Sequence, residues 1–203
     1  MDKDKQIEEL KAEIEKLKTL TNKDELTGIL NRRGFKEEVR QFIGEVSDFK
    51  DHPERRKSLV IKDFSLVIFD IDDFKKLNDT HGHQVGDRAL QFLAKLILER
   101  AREIDLVARW GGEELIVGLP GANVEDAYNF AEDVRQRLSG LAKAQPLREH
   151  KLENSEIETK FTVSGGVAGF HEAEDFEELF KNADAALYEA KNSGKNKIIK
   201  FVK

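Results

Sequence analysis

The sequence contains no cysteine. This absence excludes disulfide bonds, a thiolate nucleophile and a cysteine-based zinc site, and it fits a protein of a reducing compartment. The sequence also lacks any run of about 18 apolar residues, and no apolar N-terminal segment precedes a cleavage site. We therefore expect neither a membrane span nor a secretion signal in this chain, and we predict a cytoplasmic location.

An excess of positive charge is missing as well. The chain has 34 Lys and Arg residues against 40 Asp and Glu residues, a net charge of −6, which argues against general electrostatic binding to nucleic acid. An anionic ligand would need a bound cation, a few placed basic side chains, or backbone amides at a turn or helix start. With 203 residues, 39% of them hydrophobic, the chain suits one compact domain plus a polar extension.

The polar extension is the N-terminal segment. Residues 2–22 place Ile7, Leu10, Ile14 and Leu17 at alternating spacings of three and four, with Glu and Lys filling most other positions. This stripe predicts a short coiled coil, although two heptads are marginal alone and a lone solvated helix is the alternative. We divide the chain into a coiled-coil or signalling helix at 1–23 and a globular domain at 24–203, with an upstream sensory domain as a further hypothesis.

Strand and helix patterns alternate in the globular part. The pattern predicts a helix to about residue 46, a charged loop at 47–62 and a buried strand at 64–72. A helix at 86–102 and two strands around a Gly-Gly hairpin at 111–112 follow. The remaining elements are a helix at about 123–142, a strand at 160–170, a helix at about 175–192 and a strand at 197–202. The central order β-α-β-β-α-β is that of the ferredoxin-like sheet. We therefore predict an α+β fold with a ferredoxin-like, central antiparallel sheet flanked by helices.

Two acidic strand ends should meet in this sheet. The strand at 64–72 ends with Asp70 and Asp72, and the hairpin carries Glu113 and Glu114. Two unit charges about 4 Å apart repel by about 4 kcal/mol at an effective dielectric near 20, and a divalent cation removes that repulsion. Hard oxygen ligands without His or Cys indicate Mg²⁺ or Mn²⁺. For the strand end taken alone, simple solvation of the acids is the alternative.

The segment "FDIDDFKKLNDTHGHQVGD" at 69–87 joins an acidic strand end to a short basic turn and a glycine-containing loop that opens a helix. Backbone amides from Asp73 to Lys75 are suited to cradle phosphate, and Lys75 adds positive charge. Asn78 and Asp87 supply the amide and carboxylate that pair with the edge of guanine. Each also has a structural interpretation, Asn78 as a helix terminator and Asp87 as an N-terminal cap.

Five segments, in order, resemble the motifs of the GGDEF-type diguanylate cyclases: "DELTGILNRRGF", "FDIDDFKKLNDTHGHQVGD", "ARWGGEEL", "VSGGVAGF" and "ADAALYEAKNSGKN". The resemblance covers about residues 24–203. It implies the palm fold of nucleotidyl cyclases and the condensation of two GTP molecules into cyclic di-GMP with release of two pyrophosphates. It also implies a homodimer, because each GTP 3′-hydroxyl attacks the α-phosphate on the facing domain.

The resemblance further implies roles for single residues. The metal ligands would be the Asp70 carboxylate, the Ile71 carbonyl and Glu113, with Glu114 in support, and Glu113 would also accept the 3′-hydroxyl proton. Lys75 would stabilise the transferring phosphate. The remaining substrate contacts would come from Phe74, Asn78, His83 and Asp87 around the nucleoside and from Lys191 and Lys195 near the terminal phosphates. Lys195 replaces the more usual Arg, so it keeps the charge but loses the planar fork.

Arg102 and Asp105 form an Arg-x-x-Asp pattern shortly before the Gly-Gly pair. By resemblance this is a product-inhibition site that binds cyclic di-GMP. We further predict a basic contact from Arg135 on the next helix. The alternative is a solvated helix end with a local ion pair worth about 0.3 to 0.5 kcal/mol. One signature position departs from the family, since Leu115 stands where Phe is usual; its strand parity predicts a buried supporting residue.

Three functions compete on these observations. The first is an active diguanylate cyclase, and the second is a catalytically silent domain that acts as a receptor for cyclic di-GMP or GTP. The third is a coiled-coil dimerisation module whose globular part is only structural. The intact metal and guanine positions favour the enzyme.

Overall fold

The computed structural model describes residues 22–51, 61–144, 161–173 and 175–202. The strands are β1 (Leu30–Asn31), β2 (Phe64–Ile71), β3 (Leu106–Arg109), β4 (Glu114–Pro120), β5 (Val163–Gly169) and β6 (Ile198–Lys200). The helices are α1 (Arg32–Asp51), α2 (Phe74–His81), α3 (His83–Leu98), α4 (Val124–Ala144) and α5 (Phe176–Asn192), with a 3₁₀ turn at Phe170–Glu172. All but the last two residues of the segment 1–23 lie outside the described residues, so the coiled coil stays a prediction.

The strand order confirms the ferredoxin-like prediction. The six strands form one sheet in the order β1-β3-β4-β2-β5-β6, and the four central strands are antiparallel neighbours. The two outer strands are parallel to their neighbours, β1 to β3 and β6 to β5. The sheet is therefore mixed, with the antiparallel centre that the β-α-β-β-α-β order predicts.

Alternation along β2 divides the core between the two faces of the sheet. Leu66 and Ile68 pack with residues of α1 and α5, whereas Val67, Phe69 and Ile71 pack with residues of α3 and α4. By the same alternation Asp70 faces the α5 side, which sets the side of the sheet on which the acidic site forms. No helix of the described part of the chain is long and apolar enough to cross a membrane.

Three helices differ from the sequence prediction. Helix α1 continues to Asp51 rather than ending near residue 46, because no Gly or Pro occurs between residue 46 and Pro53. The segment 74–81, expected as a turn and loop, is the helix α2, whose Leu77 is buried against the core. Helix α3 begins at His83 and ends at Leu98, so residues 99–102 lie beyond it.

Candidate active site

Two acidic strand ends meet on the α5 face of the sheet. Asp70, near the end of β2, pairs in register with Glu114, the first residue of β4, and Glu113 precedes it. Burial raises the pKa of all three carboxyl groups, and repulsion from Asp70 further raises the pKa of Glu113 and of Glu114. The expected proximity of Asp70 to the hairpin acids is confirmed. These groups therefore hold protons more tightly than carboxyl groups in water do.

Two lysines lie beside this acidic end of β2. Lys191, in the last turn of α5, places its Nζ 2.7 Å from Asp70 Oδ2. Lys195, in the turn after α5, places its Nζ 2.6 Å from Asp73 Oδ1. The hydrogen bond between them raises the pKa of Lys195 and lowers the pKa of Asp73. Lys75 is exposed in the first turn of α2, so three basic side chains are available at this end of the sheet.

Asp72 lies close enough to Asp70 for repulsion between them to raise the pKa of Asp70, but its hydrogen bonds are made outside the acidic cluster that we expected. Its carboxylate accepts hydrogen bonds from Thr162 Oγ1 at 2.6 Å, Ser164 Oγ at 2.7 Å and the Asn196 backbone N–H at 3.0 Å. It therefore holds the turn after α5, in which Lys195 and Asn196 adopt left-handed φ angles of 59° and 48°. No local signal marks this role, because the three donors lie 90 to 124 residues further along the chain.

Arg109 fixes the hairpin between β3 and β4. Its Nε and Nη2 donate to the Gly112 carbonyl oxygen at 3.2 and 2.8 Å, and its Nη1 donates to Asp24 Oδ2 at 3.2 Å. The Gly112 carbonyl belongs to the peptide that leads into Glu113. Arg109 therefore sets the direction in which Glu113 leaves the turn, and it ties the hairpin to the segment that precedes β1.

The hairpin glycines provide space rather than a left-handed turn. Neither Gly111 nor Gly112 is among the glycines with positive φ. A Cβ at Gly111 would lie 2.9 Å from Glu114 Oε2, whereas a Cβ at Gly112 would meet nothing within 4 Å. The Gly-Gly pair therefore predicts the hairpin correctly, although not through a left-handed backbone. Gly111 leaves room for the Glu114 carboxylate, and no atom lies close to the side-chain position of Gly112.

The predicted nucleoside residues lie on α2 and α3. Phe74 and Asn78 are one turn apart on α2, and His83 and Asp87 are one turn apart on α3. His83 and Asp87 are exposed, whereas the Asn78 Oδ1 atom is buried and has no hydrogen-bond partner in the described part of the chain. Both structural interpretations are wrong, because α2 continues past Asn78 and Asp87 lies inside α3 rather than at its N-cap.

Arg102 and Asp105 lie at the opposite end of the sheet, in the connection between α3 and β3. The Arg102 Nη2 atom donates to Asp105 Oδ1 at 2.8 Å and to the Pro120 carbonyl at 3.0 Å, and this pairing raises the pKa of Arg102. Arg102 remains 55% exposed, whereas Asp105 is only 2% exposed. The buried carboxylate therefore orients an exposed guanidinium towards solvent.

Arg135, the third predicted product contact, has other partners. It pairs with Glu132 at 2.6 Å, and its Nη1 donates to Asn196 Oδ1 at 2.9 Å. Asn196 follows Lys195, so the Arg135 side chain supports the turn after α5. The structure does not bring Arg135 together with Arg102 and Asp105 through any contact among the residues it describes.

Comparison with known proteins places this geometry in a family. The family model described as "Diguanylate cyclase, GGDEF domain" matches residues 21–197. The chain belongs to the GGDEF family. The match includes the acidic end of β2, the hairpin acids and both lysines, so every group of the site described above lies inside the GGDEF domain.

Individual GGDEF proteins agree with this assignment. The chain is 38% identical over 194 residues to the diguanylate cyclase DgcM of Escherichia coli K12, covering 95% of this chain and 42% of DgcM. It resembles the coiled coil and GGDEF domain of DgcB from Caulobacter crescentus, solved in complex with c-di-GMP, with a TM-score of 0.80, 27% identity, and coverage of 98% of this chain and 95% of that one. The active GGEEF domain of a Vibrio cholerae diguanylate cyclase gives a TM-score of 0.66 and 31% identity, covering 85% of this chain and 97% of that one.

Leu115 occupies the last position of the GGDEF signature. It is fully buried in the core shared with α3 and α4, opposite Phe69 in the register of β2 and β4. The expectation of a buried supporting residue is therefore confirmed. Leu115 faces away from the acids, since neighbouring residues of a strand point to opposite faces of the sheet.

The donor set fits the divalent metal that the GGDEF family implies. In the described ranges no three His, Asp or Glu side chains are arranged as a metal cluster. The ligands that the family resemblance implies are two carboxylates, Asp70 and Glu113, and the carbonyl of Ile71, with Glu114 in support. Fewer than three side chains would therefore coordinate the metal directly. Burial raises the pKa of Asp70 and of Glu113, and repulsion adds to it, from Asp72 on Asp70 and from Asp70 on Glu113. A bound cation would offset these effects by stabilising the ionised carboxylates.

Proposed function

We propose that this chain is a diguanylate cyclase, which condenses two GTP molecules into cyclic di-GMP and releases two pyrophosphates. The observation that carries the proposal is the meeting of Asp70, Glu113 and Glu114 with Lys191 at one end of the sheet. Phosphoryl transfer needs positioned charges of both signs more than it needs covalent chemistry, and no nucleophilic Ser or Cys is required. The GGEE sequence at 111–114 matches the "GGEEF" of the active Vibrio cholerae domain at those four positions.

Each charged residue then has a chemical role. Glu113 accepts the proton of the GTP 3′-hydroxyl as a general base, from its place at the hairpin next to Glu114, which pairs with Asp70. Lys75 stabilises charge on the transferring phosphate, and Lys191 and Lys195 bind the terminal phosphates. Mg²⁺ or Mn²⁺, held by Asp70, the Ile71 carbonyl and Glu113 with Glu114 in support, would supply Lewis-acid polarisation of phosphate oxygens.

The Oδ1 atom of Asn78 supports guanine as the base. Buried polar side-chain atoms nearly always have a partner, and this one, which has none among the described residues, would gain one from an N–H of the guanine edge. The edge of guanine offers both donors and acceptors to such an amide and to the Asp87 carboxylate. Phe74 and His83 complete the nucleoside contacts on the same two helices.

A homodimer follows from the reaction proposed. Each domain holds one GTP, so cyclic di-GMP forms only when two domains face one another and each supplies a 3′-hydroxyl to the other's α-phosphate. The N-terminal segment 1–23, with its predicted coiled-coil stripe, is the element that we propose for dimer formation. A sensory domain upstream would act through this segment.

Product inhibition is the second binding event that we propose. Cyclic di-GMP would bind the exposed guanidinium of Arg102, which the buried Asp105 orients. Arginine suits this ligand because its planar fork binds phosphate in a bidentate manner. The DgcB domain, which this chain resembles, was solved in complex with c-di-GMP and so supports the choice of ligand.

The test uses purified protein that has been stripped of bound nucleotide and then given GTP and Mg²⁺. The wild type is expected to form cyclic di-GMP, and Glu113→Gln is expected to form none while GTP still binds. Glu125→Gln is the matched control, because Glu125 pairs with Lys200 on the surface, away from the site. Binding of cyclic di-GMP without turnover by the wild type would indicate the receptor instead, and equal turnover by Glu113→Gln would remove Glu113 from the mechanism.

A further inference from the structure

Gly86 lies directly against the Asn78 amide. It is a buried residue at the end of the first turn of α3, and the end of the Asn78 side chain occupies the space that a Cβ at residue 86 would need. That Cβ would overlap Asn78 Oδ1 and would lie 2.9 Å from Asn78 Cγ and 3.0 Å from Phe74 Cζ. The notch left by the missing side chain is therefore filled by the amide.

Backbone conformation does not explain a glycine at this place. Gly86 is not among the glycines with positive φ, so any residue is compatible with its backbone. Glycine also weakens a helix interior relative to alanine, because it loses more conformational freedom on folding. The remaining physical reason for glycine is the space that it gives to Asn78.

We infer that Gly86 is a positioning residue for base binding. Because Gly86 has no side chain, the Asn78 amide occupies this notch and is held where it contacts the edge of guanine. The inference rests on the proposed function, since it takes Asn78 as a guanine contact. Phe74 limits the space on the other side of the notch, at 3.0 Å from the Cβ position. A methyl group at residue 86 therefore displaces the amide rather than being accommodated beside it.

The chain supplies a matched control for this substitution. Gly140 is also a helical glycine, in α4, but it is exposed and a Cβ there would meet nothing within 4 Å. Gly86→Ala and Gly140→Ala make the same chemical change to a helix. Only the first should alter nucleotide binding.

The experiment measures kcat and KM for GTP in wild type, Gly86→Ala, Gly140→Ala, Asn78→Ala and the double variant Gly86→Ala/Asn78→Ala. Gly86→Ala is expected to raise KM roughly 3- to 10-fold, the range expected for one lost uncharged hydrogen bond, with much less change in kcat. Asn78→Ala should show the same change, and Gly140→Ala should match the wild type. The double variant should be no worse than Asn78→Ala, because removing the amide removes the clash.

Three results would overturn the inference, and they can be told apart. A wild-type KM for Gly86→Ala while Asn78→Ala is impaired would show that the notch does not seat the amide. Additive effects in the double variant would show that Gly86 acts by another route. A wild-type KM for Asn78→Ala would instead remove the base contact from the proposed function. If Gly86→Ala does not fold, the KM of the double variant is still compared with that of Asn78→Ala, because the double variant has room for the methyl group.

Discussion

Asp72 gives the sharpest test of how the site is held together. Its buried carboxylate accepts three hydrogen bonds, two from hydroxyl groups next to and within β5 and one from the Asn196 backbone N–H. The turn that it holds contains two consecutive non-glycine residues with left-handed φ, Lys195 and Asn196. This conformation costs about 1 to 2 kcal/mol for an ordinary residue such as Lys195 and less for Asn. Removing the Asp72 charge should therefore weaken the fold and loosen the turn that carries Lys195.

The magnitude follows from the bonds themselves. In Asp72→Asn the amide oxygen can accept from Thr162 and Asn196, and the amide nitrogen can donate to the Ser164 hydroxyl, which rotates to accept. The three bonds persist but lose their charge, and the difference between charged and neutral hydrogen bonds is about 1 kcal/mol each. We expect the free energy of unfolding to fall by about 2 to 3 kcal/mol, and the melting temperature to fall by about 4 to 12 °C for a domain of this size.

The assay is urea denaturation followed by circular dichroism, with Asp73→Asn as the control. Asp73 is adjacent in sequence and also bears a single negative charge, but its partner Lys195 is on the surface and its loss should leave the urea midpoint nearly unchanged. Asp72→Asn should also raise the KM for GTP, because Lys195 is less well placed. Equal urea midpoints for the two variants would refute the anchoring role of Asp72.

Three further predictions concern the product site, the acids and the core. Arg102→Ala should raise the concentration of cyclic di-GMP needed for half-inhibition by roughly 10- to 100-fold, which is the loss expected for a hydrogen bond to a charged group. Unchanged inhibition in enzyme assays would contradict the product-site proposal. Glu114→Gln should stabilise the nucleotide-free protein above the folded-state pKa of Glu114, because burial raises that pKa and the ionised acid therefore destabilises the fold. This gain should vanish at a pH below the pKa of Glu in the unfolded chain, where both states are protonated, so a gain in melting temperature that does not depend on pH would argue against it. Leu115→Ala should lower the free energy of unfolding by about 2 to 5 kcal/mol, since Leu115 is fully buried, and a loss below about 1 kcal/mol by denaturant titration would show that the core closes around the gap.

Local patterns predict the central sheet and its acidic end well. The apolar run of β2 and the Gly-Gly hairpin each have a clear periodicity, and their topology alone brings Asp70 beside Glu114. The two-residue strand β1 has no such pattern. Leu30 and Asn31 pair with Ala108 and Arg109, a contact set by the packing of the whole domain.

Contacts between distant parts of the chain are what the sequence does not predict. The resemblance placed Lys191 and Lys195 near phosphate, but their pairing with Asp70 and Asp73 depends on where α5 ends relative to β2. The role of Asp72 as an anchor has the same origin. We predicted Arg135, on the next helix, as a further basic contact of the product site, whereas its contact with Asn196 follows from the packing of α4 beside the turn after α5.

The central claim, that this site joins two GTP molecules, is tested most directly by the stoichiometry of turnover. Nucleotide-free wild-type protein with GTP and Mg²⁺ should release two pyrophosphates for each cyclic di-GMP that mass spectrometry detects, and the specific rate should fall on dilution because two domains must meet. Release of pyrophosphate without cyclic di-GMP, or no consumption of GTP by folded protein that binds it, would contradict the account.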